Sequence, residues 1–136
     1  MAAAGPAPRP GRSWSTPASS PAPGWSGNTG TIGNWSAYGE PAHGGLNASY
    51  LDGYGFTATE SISQTVTIPA GCTASTLSFY LHIDTAETTT TIQYDKLTIK
   101  VGSTTVGTFS NLNKGTGYTL RSFPVGSFAG QTVTVS

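Results

Sequence analysis

The sequence predicts an all-β fold, a β-sandwich of antiparallel strands, and three observations predict it. Two stretches near the centre alternate strictly between apolar and polar residues, the composition is rich in glycine and hydroxyl residues, and turn residues punctuate the chain at short intervals. In STLSFYLHI (75–83), Leu77, Phe79, Leu81 and Ile83 share one parity while Ser78, Tyr80 and His82 take the other, the period of a half-buried strand. YDKLTIKV (94–101) repeats the pattern, with Leu97, Ile99 and Val101 on one face and Lys96, Thr98 and Lys100 on the other. Each strand offers one apolar side to a core, which asks for a second sheet to cover it.

The 136 residues suffice for one small sandwich and nothing larger. Six cations balance six carboxylates and charged residues make up only 9% of the chain. Such a neutral, hydroxyl-rich composition indicates an extracellular type of domain, and it lacks the basic stripe that nucleic acid requires. No run of about 18 apolar residues is present to cross a membrane. Cys72 is alone, so the chain has neither an internal disulfide nor a redox pair.

In chain order, residues 1–30 are dominated by Ala, Pro, Gly and Ser and read as a linker or disordered tail, with Trp14 and Trp25 incidental or lightly docked. The segment has no apolar core of a signal peptide, so for a secreted protein the signal lies on a longer parent chain. The sandwich is expected over 31–136. Its first ordered piece is TIGNWSAYG (31–39), followed by LNASYL (46–51) and the turn at Asp52-Gly53 and Gly55. TESISQTVTI (59–68) is a strand ended by Pro69-Ala70-Gly71. After the central pair, Gly102-Ser103 is a tight hairpin turn leading to a strand from Thr104 to Phe109. NLNKGTG (111–117) is a loop, and Tyr118 to Val125 is a short strand whose Pro124 places it at an edge or strand end, with Phe123, Val125 and Phe128 in the core. QTVTVS (131–136) alternates with no turn signal after it, so the chain reads as stopping in mid-strand, with one or more final strands missing. A sandwich of that kind leaves backbone groups open and is expected to be marginally stable or to recruit a strand from another chain.

From Trp35 to Ser136 the sequence resembles the C-terminal ancillary domains of secreted bacterial peptidases, notably of the sedolisin (pro-kumamolisin) type and also subtilisin-like ones. The stretches that carry the resemblance are AHGGLNASYLDGYG, TESISQTVTIPAGC, TLSFYLHIDTAETTTTIQYDKLTIKV and TFSNLNKGTGYTLRSFPVGSFAGQTVTV. The resemblance implies a jelly-roll sandwich of the galactose-binding type, attached without catalytic function to a parent catalytic domain in cis.

The residues themselves point the same way. His82 and Asp84 stand two apart on one strand, with Cβ atoms about 6–7 Å apart, and no Gly-x-Ser-x-Gly elbow accompanies them, so no catalytic residue is assigned. Tyr80 and Tyr94, if their strands pair as a hairpin, form an aromatic strip of the kind that stacks on sugar rings, with His82 and Lys96 beside it to fix orientation. The alternative is that the tyrosines cover a linker or neighbouring domain. Tyr54 and Trp35 are further ligand-binding candidates, or else core and rim residues. Asp84, Glu87 and Asp95 bracket an oxygen-rich loop that suits a structural calcium ion, the one cofactor considered, or simply a solvated loop. The expected function is therefore an accessory domain of a secreted hydrolase that attaches to a polysaccharide or protein polymer or stabilises its parent. A dedicated carbohydrate-binding module and a purely structural interaction domain are the alternatives.

Overall fold

The computed structural model describes residues 24–28 and 30–136. Within them the alternating stretches form β1 (Trp25–Gly27), β2 (Ile32–Gly33), β3 (Ala48–Ser49), β4 (Ile62–Thr67), β5 (Thr76–Leu81), β6 (Lys96–Val101), β7 (Thr104–Ser110), β8 (Thr119–Pro124) and β9 (Thr132–Val135). The helical pieces are 3-10 turns of three residues, at Ser36–Tyr38, Asn111–Asn113 and Gly126–Phe128. No helix among the described residues is long and apolar enough to cross a membrane.

All pairing is antiparallel. One sheet has the order β1-β4-β9-β6-β7, a second consists of β5 and β8, and β2 and β3 form a small ribbon. The pairs β4 with β9, β5 with β8 and β6 with β7 are nested, the winding of a jelly roll in which a long folded ribbon is rolled into two facing layers. The fold is thus an all-β antiparallel sandwich.

The alternation read from sequence sets which side of each strand is covered. Leu81 and Ile83 are buried and pack with Phe79, Leu97 and Phe109, so the apolar faces of β5 and β6 meet across the interior. A second cluster joins Ile68, fully buried Val101 and Val125 with Leu77, Val106, Val133 and Val135. The outward residues Lys96, Thr98 and Lys100 are exposed. This geometry replaces the expected hairpin between β5 and β6. They lie in different sheets, joined by residues 82–95, because each needs its apolar face covered by the other and strands in one sheet cannot cover one another.

The hairpin between β6 and β7 turns on Gly102, whose φ of 59° is the positive value that the first position of such a two-residue turn requires. Pro124 ends β8, where it costs the ladder least. Asn111, in the stretch read as a loop, is buried: its side-chain oxygen accepts from the Tyr94 N–H at 3.1 Å and its amide donates to the Ile92 carbonyl at 3.0 Å. It thereby staples the 82–95 crossover to the end of β7. β1 falls inside the stretch that composition marks as tail, so pairing begins at Trp25 rather than after residue 30. Residues 1–23, Trp14 included, lie outside the described residues.

The layers meet most tightly at Phe123, whose ring stacks with Phe79 at 6.0 Å between centroids and stands edge-on to Phe109 at 6.3 Å. Gly107 in β7 faces the same ring, and a Cβ there would stand 2.5 Å from it. Gly107→Ala therefore forces the two layers apart and is expected to destabilise by about 1–3 kcal/mol, as overpacking does. Denaturant unfolding with an unchanged m-value checks this; an unchanged midpoint would contradict the packing described.

Candidate functional site

The outward face of β5 presents Ser78, Tyr80 and, one residue past the strand, His82. Tyr80 stands opposite Leu120 of β8, and both are about half exposed, at 48% and 52%. The segment after the Ser36–Tyr38 turn folds back over this face. The Tyr118 hydroxyl, from the start of β8, donates to the Pro41 carbonyl at 3.0 Å. The Glu40 carboxylate comes within 3.4 Å of His82 Nδ1, while His82 Nε2 stands 3.1 Å from the Gly115 carbonyl. These ties lay His43 flat on Tyr80, with ring centroids 3.5 Å apart and planes 11° from parallel, and edge-on to Tyr118 at 5.5 Å. Burial, and then the Glu40 carboxylate, push the Tyr118 phenol above its ordinary value, so the hydroxyl stays protonated as the donor this loop contact needs.

From this cluster a cleft of about 810 Å³ runs inward between the layers. Trp25, Trp35, Tyr50, Leu77, Phe79, Ile62, Leu97 and Val135 are among the residues that line it. Glu40, Glu60, Lys96 and Lys100 supply charge around it. A concave, largely apolar cleft with a few polar groups at its rim is the usual form of a ligand site.

The sequence-derived candidates separate on this map. Tyr80, His82, Trp35 and Lys96 border the cleft. Tyr94 does not join Tyr80 in a strip: it precedes β6 in the other sheet and is 58% exposed there. Trp35 donates from Nε1 to the Ala48 carbonyl at 2.9 Å and tilts against Tyr38 and Tyr50, which fixes the aromatic wall. Tyr54 donates to Glu60 Oε1 at 2.5 Å, and the other oxygen of Glu60 accepts from the Asp52 N–H at 2.7 Å, so Tyr54 organises the 52–60 turn. His43, Tyr118 and Glu40 were not singled out from sequence. Their partners are remote along the chain, and the available signals were only a second histidine in AHGG and the outward parity of Tyr118.

The proposed calcium ligands are not gathered as expected. Asp95 faces Asp52 and Glu87, and no three carboxylate, histidine or cysteine side chains converge as a metal site among the described residues. Burial comes first, then the charges of Asp52 and Glu87 and a hydrogen bond with Asp52, in holding the Asp95 carboxyl above its ordinary value of 3.8.

Comparison with family models, with curated proteins and with solved structures returned no match.

Because the folded state favours the protonated Asp95 carboxyl, its contribution to stability is present below pH 3.8 and is lost as pH rises through the raised value. Asp95→Asn, neutral at every pH, is expected to unfold at a higher temperature than the parent at pH 7, with the gap closing near pH 3. Thermal unfolding at the two pH values checks this; a lower melting temperature at pH 7 would show the carboxylate to be favourably paired instead.

Proposed function

We propose that this domain is a non-catalytic accessory module of a secreted hydrolase, a peptidase by the sequence resemblance, and that it attaches its parent to a polymeric substrate or surface. The observation that carries this reading is the exposed Tyr80 ring at the mouth of the cleft, pre-stacked on His43 and bordered by Tyr118. An aromatic face held rigid before binding loses little freedom when a ligand stacks on it. The charged groups at the rim provide orientation. Attachment of this kind acts by raising the effective concentration of the parent enzyme at the polymer, with no chemistry of its own.

The non-catalytic part of the reading is supported by His82. Each of its ring nitrogens already faces an acceptor, Glu40 on one side and the Gly115 carbonyl on the other, which leaves neither available to activate a nucleophile. Tyr80 standing alone, without Tyr94 in register beside it, favours a short or protein-like polymer over an extended flat glycan chain.

The test is retention of the domain on insoluble collagen, keratin, chitin, cellulose and peptidoglycan, with Tyr80→Ala and His43→Ala variants beside it. Retention on a protein polymer is expected, with about a tenfold loss on removing Tyr80, in keeping with about 1–1.5 kcal/mol for an aromatic contact. Equal retention of the parent and both variants, or none on any polymer, would overturn the reading.

A further inference from the structure

The contact that holds the 39–45 segment over β5 needs one proton more than a neutral imidazole and a carboxylate carry between them. His82 presents Nε2 to the Gly115 carbonyl at 3.1 Å and Nδ1 to the Glu40 carboxylate at 3.4 Å. A carbonyl oxygen only accepts, so Nε2 carries a hydrogen. A neutral imidazole has a single N–H, and with that hydrogen on Nε2 the lone pair of Nδ1 points at a carboxylate oxygen. Two acceptors then face each other. The contact becomes attractive when one further proton is present, held either as imidazolium against carboxylate or as neutral imidazole accepting from the carboxylic acid. The two side chains are only 20% and 14% exposed, which limits the water available to bridge them instead.

The groups around His82 leave Glu40 as its ionic partner. From β8, the Tyr118 ring tilts against His82 at 5.5 Å between centroids, and its phenol, raised above the ordinary value of 10.0, keeps its proton at neutral pH. From the loop before β8, Gly115 offers its carbonyl, and the neighbouring Lys114 donates from Nζ to the Glu87 carbonyl at 2.9 Å. Asp84 stands two residues further along the chain from His82. The 39–45 segment brings Glu40 and also His43, which stands edge-on to the same Tyr118 ring. Among the described residues, Glu40 is the one carboxylate paired with His82.

The segment tied by this contact carries the other half of the aromatic site. Three residues beyond Glu40, His43 lies flat on Tyr80 at 3.5 Å. Without the Glu40 contact, the hydrogen bond from the Tyr118 hydroxyl to the Pro41 carbonyl is left to hold the segment down.

We propose that the 39–45 segment is a proton-operated cover of the Tyr80 face. One proton shared by His82 and Glu40 closes the segment and sets His43 on Tyr80; loss of that proton opens the segment and takes the stack apart. The sign follows from the proton count: the closed form binds the extra proton, so closure is favoured at low pH and lost as pH rises. This regulation rests on the reading of Tyr80 as the attachment site. It makes attachment strongest under mildly acidic conditions, where the stacked pair is set before the polymer arrives.

The experiment measures nuclear Overhauser contacts between the His43 and Tyr80 rings in the whole free chain, without polymer, at about pH 5 and about pH 8, the range over which histidine side chains change charge. In the parent the contacts are expected at the lower pH and are expected to vanish at the higher one. Exchanging a charge-assisted bond for two facing acceptors shifts the closed-to-open ratio by about tenfold or more. Glu40→Gln replaces an acceptor by an amide that donates to the neutral Nδ1, so in this variant the contacts are expected at both pH values. Contacts that persist in the parent at the higher pH, or that are absent from it at the lower, would overturn the proposal. Loss of the contacts at the higher pH in Glu40→Gln as well would overturn it too, by assigning the change to a group other than the His82 and Glu40 pair. Because the measurement involves no polymer, its outcome is separate from retention: pH-switched ring contacts with no retention on any polymer would remove the attachment reading and leave the cover standing.

Discussion

The structure depends on how the backbone of β6 is satisfied. A strand at the middle of a sheet has donors and acceptors on both edges, and each must meet another strand or water. One edge of β6 is taken by β7 along its length, through a hairpin closed by Gly102. The other edge meets β9 at Val101, with backbone bonds between Lys100 and Ser136 and from the Gly102 N–H to the Thr134 carbonyl beside it. Where both edges are taken, Val101 is fully buried and the layers close around Ile68 and Val125.

The same pairing explains where an exposed aromatic face arises. β5 and β8 form a sheet of two strands, so their outward side chains are not shielded by neighbours on a broad surface. The 39–45 segment covers part of this face, tied down by Tyr118 and His82, and leaves Tyr80 half open against His43. A stacked aromatic pair thus stands at the edge of a largely apolar cleft.

Much of this fold was legible in the sequence because period-two alternation is local. The inward parities of β5 and β6, the Gly102 turn, the strand-ending Pro124 and the core roles of Phe123 and Val125 all follow from neighbours along the chain. What alternation cannot give is which strands pair, since every half-buried strand offers the same pattern to any partner. That is why Tyr80 and Tyr94 were expected side by side and lie in different sheets. The site residues divide on the same principle. Tyr80, His82, Trp35 and Lys96 announced themselves by parity or by aromatic character, whereas His43, Glu40 and Tyr118 matter through contacts that only the folded chain creates. Asn111 reads as an ordinary loop residue until the crossover it staples is seen, and β1 is hidden within a stretch whose overall composition marks it as tail.

The account turns on the unequal edges of β6, and amide hydrogen exchange along that strand tests it most directly. The N–H groups of Leu97 and Ile99, on the edge paired with β7, are predicted to be protected, and those of Lys96 and Thr98, on the opposite edge, to exchange far faster despite lying in the same strand. Uniform protection from Lys96 to Val101 would mean that both edges are bonded along their length, and would contradict the unequal pairing of β6.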